Sequence, residues 1–327
     1  MAPMKRRGVA VAACVSALAA GIDAADAAAR TVGQGTASSC TSAAVVAAVR
    51  AGGTIRFSCG PRPVTIRMRA TAKVHNTRRA VVLDGGGKVT LSGQGRHRIL
   101  YMNTCDRSLV WTTPHCQDQA TPSLVIRNLT FRNGNSTGED MDGGGGGAIF
   151  ARGGRLRIER STFIGNRCDR QGPDLGGGAV RALSQYQDLP VEVIDSRFTG
   201  NVCSNGGALS SIDVSWNVTG SRFNRNRAVG HGANPARRGT PGGGSGGAIY
   251  NDGDRYKLTI TNSRLIGNHA AEGGGAVFFV SNDRTGTMAI NDSVLERNPS
   301  EGFETRGLPG IFFLGAAPPA VTRSVLR

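Results

Sequence analysis

The chain has 327 residues, enough for one large domain or two small ones. Glycine, at 48 residues, is about twice its usual share, and aromatic residues make up only 5%. That balance argues against an ordinary helical or doubly wound fold and for many tight turns, while a net charge of +16 favours an anionic partner.

Residues 1–27 read as a secretory signal. MAPMKRR is the positive start, GVAVAACVSALAAGI the apolar core, and small residues near Ala27 the cleavage site. The apolar run is too short to span a bilayer, and no other segment reaches spanning length. A secreted or cell-surface protein with no transmembrane segment is expected. Residues 28–70 read as an N-terminal cap region. In it TSAAVVAAVRAGG, residues 41–53, has small and apolar residues at helical spacing. Thr41 or Ser42 would cap this helix and Gly52 or Gly53 end it. Short strands follow in TIRFSC, VTIRM, AVVLDGGG and KVTLSG.

From residue 71 to about 300 the chain repeats. Gly-Gly-Ala recurs with alanines at 148, 179, 208, 248 and 276. Each is followed by a second signature, and six segments align on their last apolar residue: LVIRNLTF, LRIERSTF, VEVIDSRF, WNVTGSRF, LTITNSRL and MAINDSVL. Apolar residues at the first and third places mark short, half-buried strands. Five frames carry Ser two places before the anchor: Ser161, Ser196, Ser221, Ser263 and Ser293. The same five carry Asn three places after it: Asn166, Asn201, Asn226, Asn268 and Asn298. Strands this short are stable only when stacked, at a spacing of about 4.8 Å. The expectation is an all-β parallel β-helix with roughly three strands per coil. One strand carries Gly-Gly-Ala, one the alternation and one the Phe/Leu anchor. The recurring Ser and Asn would form structural ladders at the corners. After Asn298 the pattern stops, and residues 301–327 read as a C-terminal tail folding over the last coil.

Six cysteines follow the signal segment, an even number that implies disulfides in a secreted chain. Cys168 and Cys203 each lie five residues past a phenylalanine anchor, so adjacent coils should bring them within bonding range. Cys105–Cys116 would close a local loop, and elimination leaves Cys40–Cys59.

The GGAI-type strand followed by F-x-x-N resembles the repeat of chlamydial polymorphic outer-membrane proteins. It also resembles secreted bacterial right-handed parallel β-helix proteins of the pectate-lyase-like superfamily, over roughly residues 38 to 300. The cap with its paired cysteines and AVVLDGGGKVTLSG is similar to the start of those bacterial proteins. The resemblance implies a right-handed coil and a carbohydrate-related role, as a polysaccharide lyase, a hydrolase, an adhesin or a non-catalytic binder. It is specific for fold and not for activity.

Two sets of turns could carry chemistry. Before the Gly-Gly-Ala strands lie Glu139, Asp140, Asp142, Asp169 and Asp174, then His231, Arg237 and Arg238 in the longest insertion, then His269 and Glu272. By the resemblance, a lyase would hold calcium on such carboxylates and use an arginine as base, which makes Asp140, Asp142 and Arg237 the catalytic candidates. After the Gly-Gly-Ala strands, Asp252 and Asp254 beside Asn251 are the metal candidates, with calcium as the ion. Gly-Asp turns need no metal, and no cofactor is required by any motif. Phosphate-loop and nucleophile-elbow patterns are absent from the sequence. The leading expectation is a protein that binds acidic polysaccharide or another cell-surface polymer, with no specific nucleic-acid partner. A lyase or hydrolase acting on pectin-like acidic glycans is the alternative, and a structural adhesin the third.

Overall fold

The computed structural model describes residues 29–139 and 144–327, so the expected signal segment lies outside the described residues. The chain is mostly β and is built from stacked parallel sheets of seventeen, eight and three strands. The eight-stranded sheet holds the strands that follow Gly-Gly-Ala. Ile149–Arg152, Val180–Leu183, Leu209–Ile212, Ile249–Gly253 and Val277–Ser281 lie side by side in chain order. The glycines themselves precede these strands. Gly146 and its equivalents take positive φ at the turn, and a side chain on Gly147 would strike the Arg167 carbonyl at 2.2 Å.

The alternation and anchor segments form separate strands, such as Arg155–Glu159 and Thr162–Ile164, as the sequence led us to expect. Both belong to the seventeen-stranded sheet, which bends between them. The residue before each corner serine adopts a left-handed conformation, as at Arg160, Asp195, Asn262 and Asp292. That bend would leave the serine N–H without a carbonyl. The hydroxyl of the next repeat replaces it: Ser161 N donates to Ser196 Oγ at 3.1 Å, and Ser196 N to Ser221 Oγ at 3.1 Å. Hydrogen bonding therefore runs around the corner and keeps one sheet. Ser221 and Ser263 continue the series, donating to Ser263 and Ser293 at 3.0 Å each.

The third sheet lies after the second corner, in Val202–Cys203, Arg227–Ala228 and His269–Ala270. That corner carries the asparagines. Asn166 Nδ2 donates to Asn201 Oδ1 at 2.9 Å, Asn201 to Asn226 at 2.8 Å, Asn226 to Asn268 at 2.9 Å and Asn268 to Asn298 at 2.9 Å. Each acceptor oxygen also takes the backbone N–H of the preceding asparagine, at 3.0 to 3.1 Å. The irregular first repeat has a simple cause: Asn133 occupies the left-handed corner, and Gly134 N donates to Asn166 Oδ1 at 2.8 Å from the ladder position.

Inside the stack the anchors superpose. Phe131, Phe163, Phe198 and Phe223 are fully buried, with successive ring centroids 5.1, 4.7 and 4.7 Å apart. Leu265 and Leu295 continue the column. At one end the helix Ser42–Ala51 packs on the strands Ala29–Val32 and Ala72–Lys73. Thr41 Oγ1 accepts from Ala44 N at 3.2 Å, Gly52 ends the helix at positive φ, and Val45 and Val49 are buried. At the other end the sequence expectation of a folded-over tail does not hold. Ile311–Leu314 pairs with Val277–Val280, Ala320–Thr322 with Ala289–Asn291, and Val325–Leu326 with Val294–Leu295. PAVTRSVL, residues 319–326, keeps the frame, and Ser293 N donates to Ser324 Oγ at 3.0 Å.

Three disulfides join Cys40 to Cys59, Cys105 to Cys116 and Cys168 to Cys203, with Cα separations of 5.6, 5.0 and 4.8 Å. Among the described residues, no helix is long and apolar enough to cross a membrane.

Candidate functional site

Of the residues singled out by sequence, His231, Arg237 and Glu272 form one group and Asp252 centres a second, where the 228–245 insertion folds against the strand Ile249–Gly253. The first group centres on Glu272, whose side chain is only 3% exposed. Its Oε1 lies 2.7 Å from Arg237 Nη2 and 3.2 Å from His231 Nδ1, and accepts the Gly232 N–H at 2.7 Å. Gly244 leaves room for the stem of this side chain, since a Cβ there would sit 2.5 Å from Glu272 Cγ. Arg237 and His231 reach in from the insertion while staying more than half exposed. The arrangement ties the insertion to the stack. It also occupies the guanidinium that the sequence offered as a base.

Asp140 and Asp142 lie outside the described residues. Their neighbour Glu139 is used structurally: Oε2 lies 2.8 Å from Nη1 of the buried Arg98. Arg98 stands 5.5 and 5.3 Å over the rings of Tyr101 and Phe150 and donates to Gly145 O at 2.9 Å. Burial holds the Arg98 guanidinium below its ordinary pKa, with Glu139 opposing that shift.

The second group centres on Asp252. Its Oδ2 accepts from Tyr250 Oη at 2.9 Å and Asn234 Nδ2 at 2.7 Å. Its Oδ1 accepts from Gly253 N at 2.8 Å and Asn282 Nδ2 at 3.5 Å. Partial burial raises the Asp252 carboxyl above the ordinary range, against the pull of these donors. Tyr250 is 1% exposed, and burial followed by the Asp252 charge pushes its hydroxyl well up. In the same sheet register lie Arg181 and Ser210, with Arg181 Nη1 donating to Ser210 Oγ at 2.7 Å. Burial lowers the Arg181 pKa to about 10.

Asp254 does not join Asp252. It is exposed, its N–H donates to Asp213 Oδ1 at 2.6 Å, and its carbonyl accepts from Ser281 Oγ at 2.6 Å. Among the described residues no group of three or more His, Cys, Asp or Glu side chains is placed to hold a metal ion.

Sequence reasoning missed Tyr250, Asn234, Arg181 and Arg98. The signal for Arg181 was its place one residue after Val180, level with Phe150 and Tyr250 in neighbouring repeats. Those outward positions are covered by the glycine-rich loops, which makes a charge there unusual. No family model matches the chain, and no curated protein or solved structure matches it.

Proposed function

We propose that the protein is a secreted right-handed parallel β-helix that binds acidic polysaccharide, or another anionic cell-surface polymer, without cleaving it. The cyclic order in which the chain visits its sheets supports the β-helix reading. So does the resemblance to pectate-lyase-like and chlamydial repeat proteins. The three disulfides and the signal-like start support secretion. The observation that carries the binding reading is the fate of the carboxylates. Glu272, Asp252, Glu139 and Glu159 are each held by donors of the chain itself, in a chain whose basic residues exceed its acidic ones by 16.

A second reading, a lyase or hydrolase of pectin-like glycans, is favoured by one feature. Asp252 is a partly buried carboxyl, shifted toward its protonated form beside Tyr250, as a general acid would need. Incubation with polygalacturonate and with alginate, with and without calcium, separates the readings. The binding reading expects salt-sensitive retention with no new unsaturated or reducing ends. New ends that disappear in Asp252→Asn would establish the enzymatic reading instead, and no retention would leave an adhesin.

A further inference from the structure

The anchor strands of the large sheet turn every second residue outward. Register pairs Thr162 with Arg197, Arg197 with Arg222, and Arg222 with Arg264. Three arginines thus stand directly above one another on consecutive repeats, at the strand spacing of about 4.8 Å. All three are exposed. Like charges placed directly opposite across strands repel, so the fold alone gives no reason for this column.

Other arginines on the same sheet are neutralised by two glutamates. Glu159 gathers Arg127 at 3.0 Å and Arg160 at 3.5 Å, with Arg157 also in contact. Glu296 takes Arg297 at 3.2 Å and Arg327 at 2.9 Å. Arg197, Arg222 and Arg264 have no carboxylate within ion-pair distance among the described residues, although Asp195 is only two residues from Arg197. Beside the column runs a second outward row of Thr199, Asn224 and Ile266. Gly165 and Gly200, just past the ends of two anchor strands, help line an open depression of about 510 Å³ with Arg167 and Arg170.

We infer that Arg197, Arg222 and Arg264 form a docking strip for a linear polyuronate laid along the stacking direction, one carboxylate per repeat. This names the site for the polymer binding proposed above and rests on that reading. The rise between repeats is comparable to the advance per sugar of an extended pyranose chain, so successive carboxylates meet successive guanidinium groups. Arginine suits this task because its planar fork pairs with a carboxylate through two hydrogen bonds. Thr199 and Asn224 supply neutral polar groups for the sugar hydroxyls. Single-stranded nucleic acid fits less well, because its binding sites interleave cations with aromatic platforms. Neither row carries an aromatic residue.

The test measures affinity for oligogalacturonates of one to six sugars, using the full chain, R197Q, R222Q, R264Q and the triple variant. A control triple removes the exposed Arg62, Arg284 and Arg306, which lie off the strip. Each single substitution is expected to weaken binding about 2- to 5-fold, and the strip triple about 10- to 100-fold. The control triple should cost less than about 3-fold by the same scale. Affinity should climb from one sugar to three and then level. Circular dichroism of each variant checks that the stack is intact, and R222K, which keeps charge without the fork, should recover only part of the loss. Equal weakening by both triples would overturn the strip while leaving polymer binding in place. Absence of uronate binding by the unaltered protein would instead remove the reading on which the strip rests. Tighter binding of single-stranded DNA than of any uronate would overturn the choice of occupant.

Discussion

Each corner asparagine does several jobs with one side chain. Asn226 Oδ1 accepts from both Asn201 N and Asn201 Nδ2, while Asn226 Nδ2 donates to Phe198 O and to Asn268 Oδ1. Water cannot replace these partners, because Asn201, Asn226 and Asn268 are fully buried. Asn226→Ala therefore strands several buried polar groups and should cost about 2–4 kcal/mol in denaturant unfolding. Asn224→Ala, two residues away and exposed, should stay within about 0.5 kcal/mol. Asp252 gives a pH prediction. Its folded carboxyl lies above the ordinary value of 3.8. Between those values the folded chain keeps a proton that the unfolded chain has lost, so this group's contribution to stability falls as pH rises. The stability of the wild type relative to Asp252→Asn should accordingly decline on going up from below pH 3.8. A flat or rising difference across that window contradicts the account. The ladder residues were legible in sequence because the same residue type recurs at the same place. His231, Arg237 and Glu272 were legible only as members of one set of turns, and Asn234 as a partner of Asp252 not at all, because the insertion that brings them is shared by no other repeat.

At the scale of elements, the 228–245 insertion is tied to the stack through Glu272 at one point and through Asn234 and Asp252 at another. Removing one partner of a buried ion pair can cost about 3–5 kcal/mol. Here Arg237 and His231 are more than half exposed and regain water when released. A cost nearer 1–2 kcal/mol is expected for Glu272→Ala, discounted for that solvent screening. The change should show as faster proteolysis or amide exchange confined to residues 231–243. Unchanged protection there would mean that Glu272 is not the anchor. The Cys168–Cys203 bridge joins neighbouring repeats across a sequence separation of 35 residues. Replacing both cysteines by serine should lower stability by about 3–4 kcal/mol through the freed unfolded chain. The pairing was readable because both cysteines hold the same offset from a phenylalanine anchor. The final repeat was not readable from its front half, since Gly310 stands where the earlier repeats have alanine and its backbone alone bonds Ala276 N, at 2.7 Å. Its back half keeps the frame through Val321, Ser324 and Leu326. That the alternation and anchor strands share one sheet was not readable, because a serine corner and an asparagine corner look alike in sequence. They differ in whether the same sheet continues beyond the bend.

Across the whole molecule, stacking converts a short repeat into long rows of identical or related side chains. Rows facing inward become the phenylalanine column and the asparagine ladder, and rows facing outward become surface strips. The net charge of +16 is therefore organised, with some arginines paired to Glu159 or Glu296 and others left in register without partners. The central claim is that this surface holds an anionic polymer by charge. Its most direct test is the equilibrium affinity for polygalacturonate across a series of salt concentrations. The account predicts binding that weakens steadily with salt, with a log–log slope of about −1 to −2 for three neutralised carboxylates. Binding that is absent at low salt, or that does not change with salt, would contradict it.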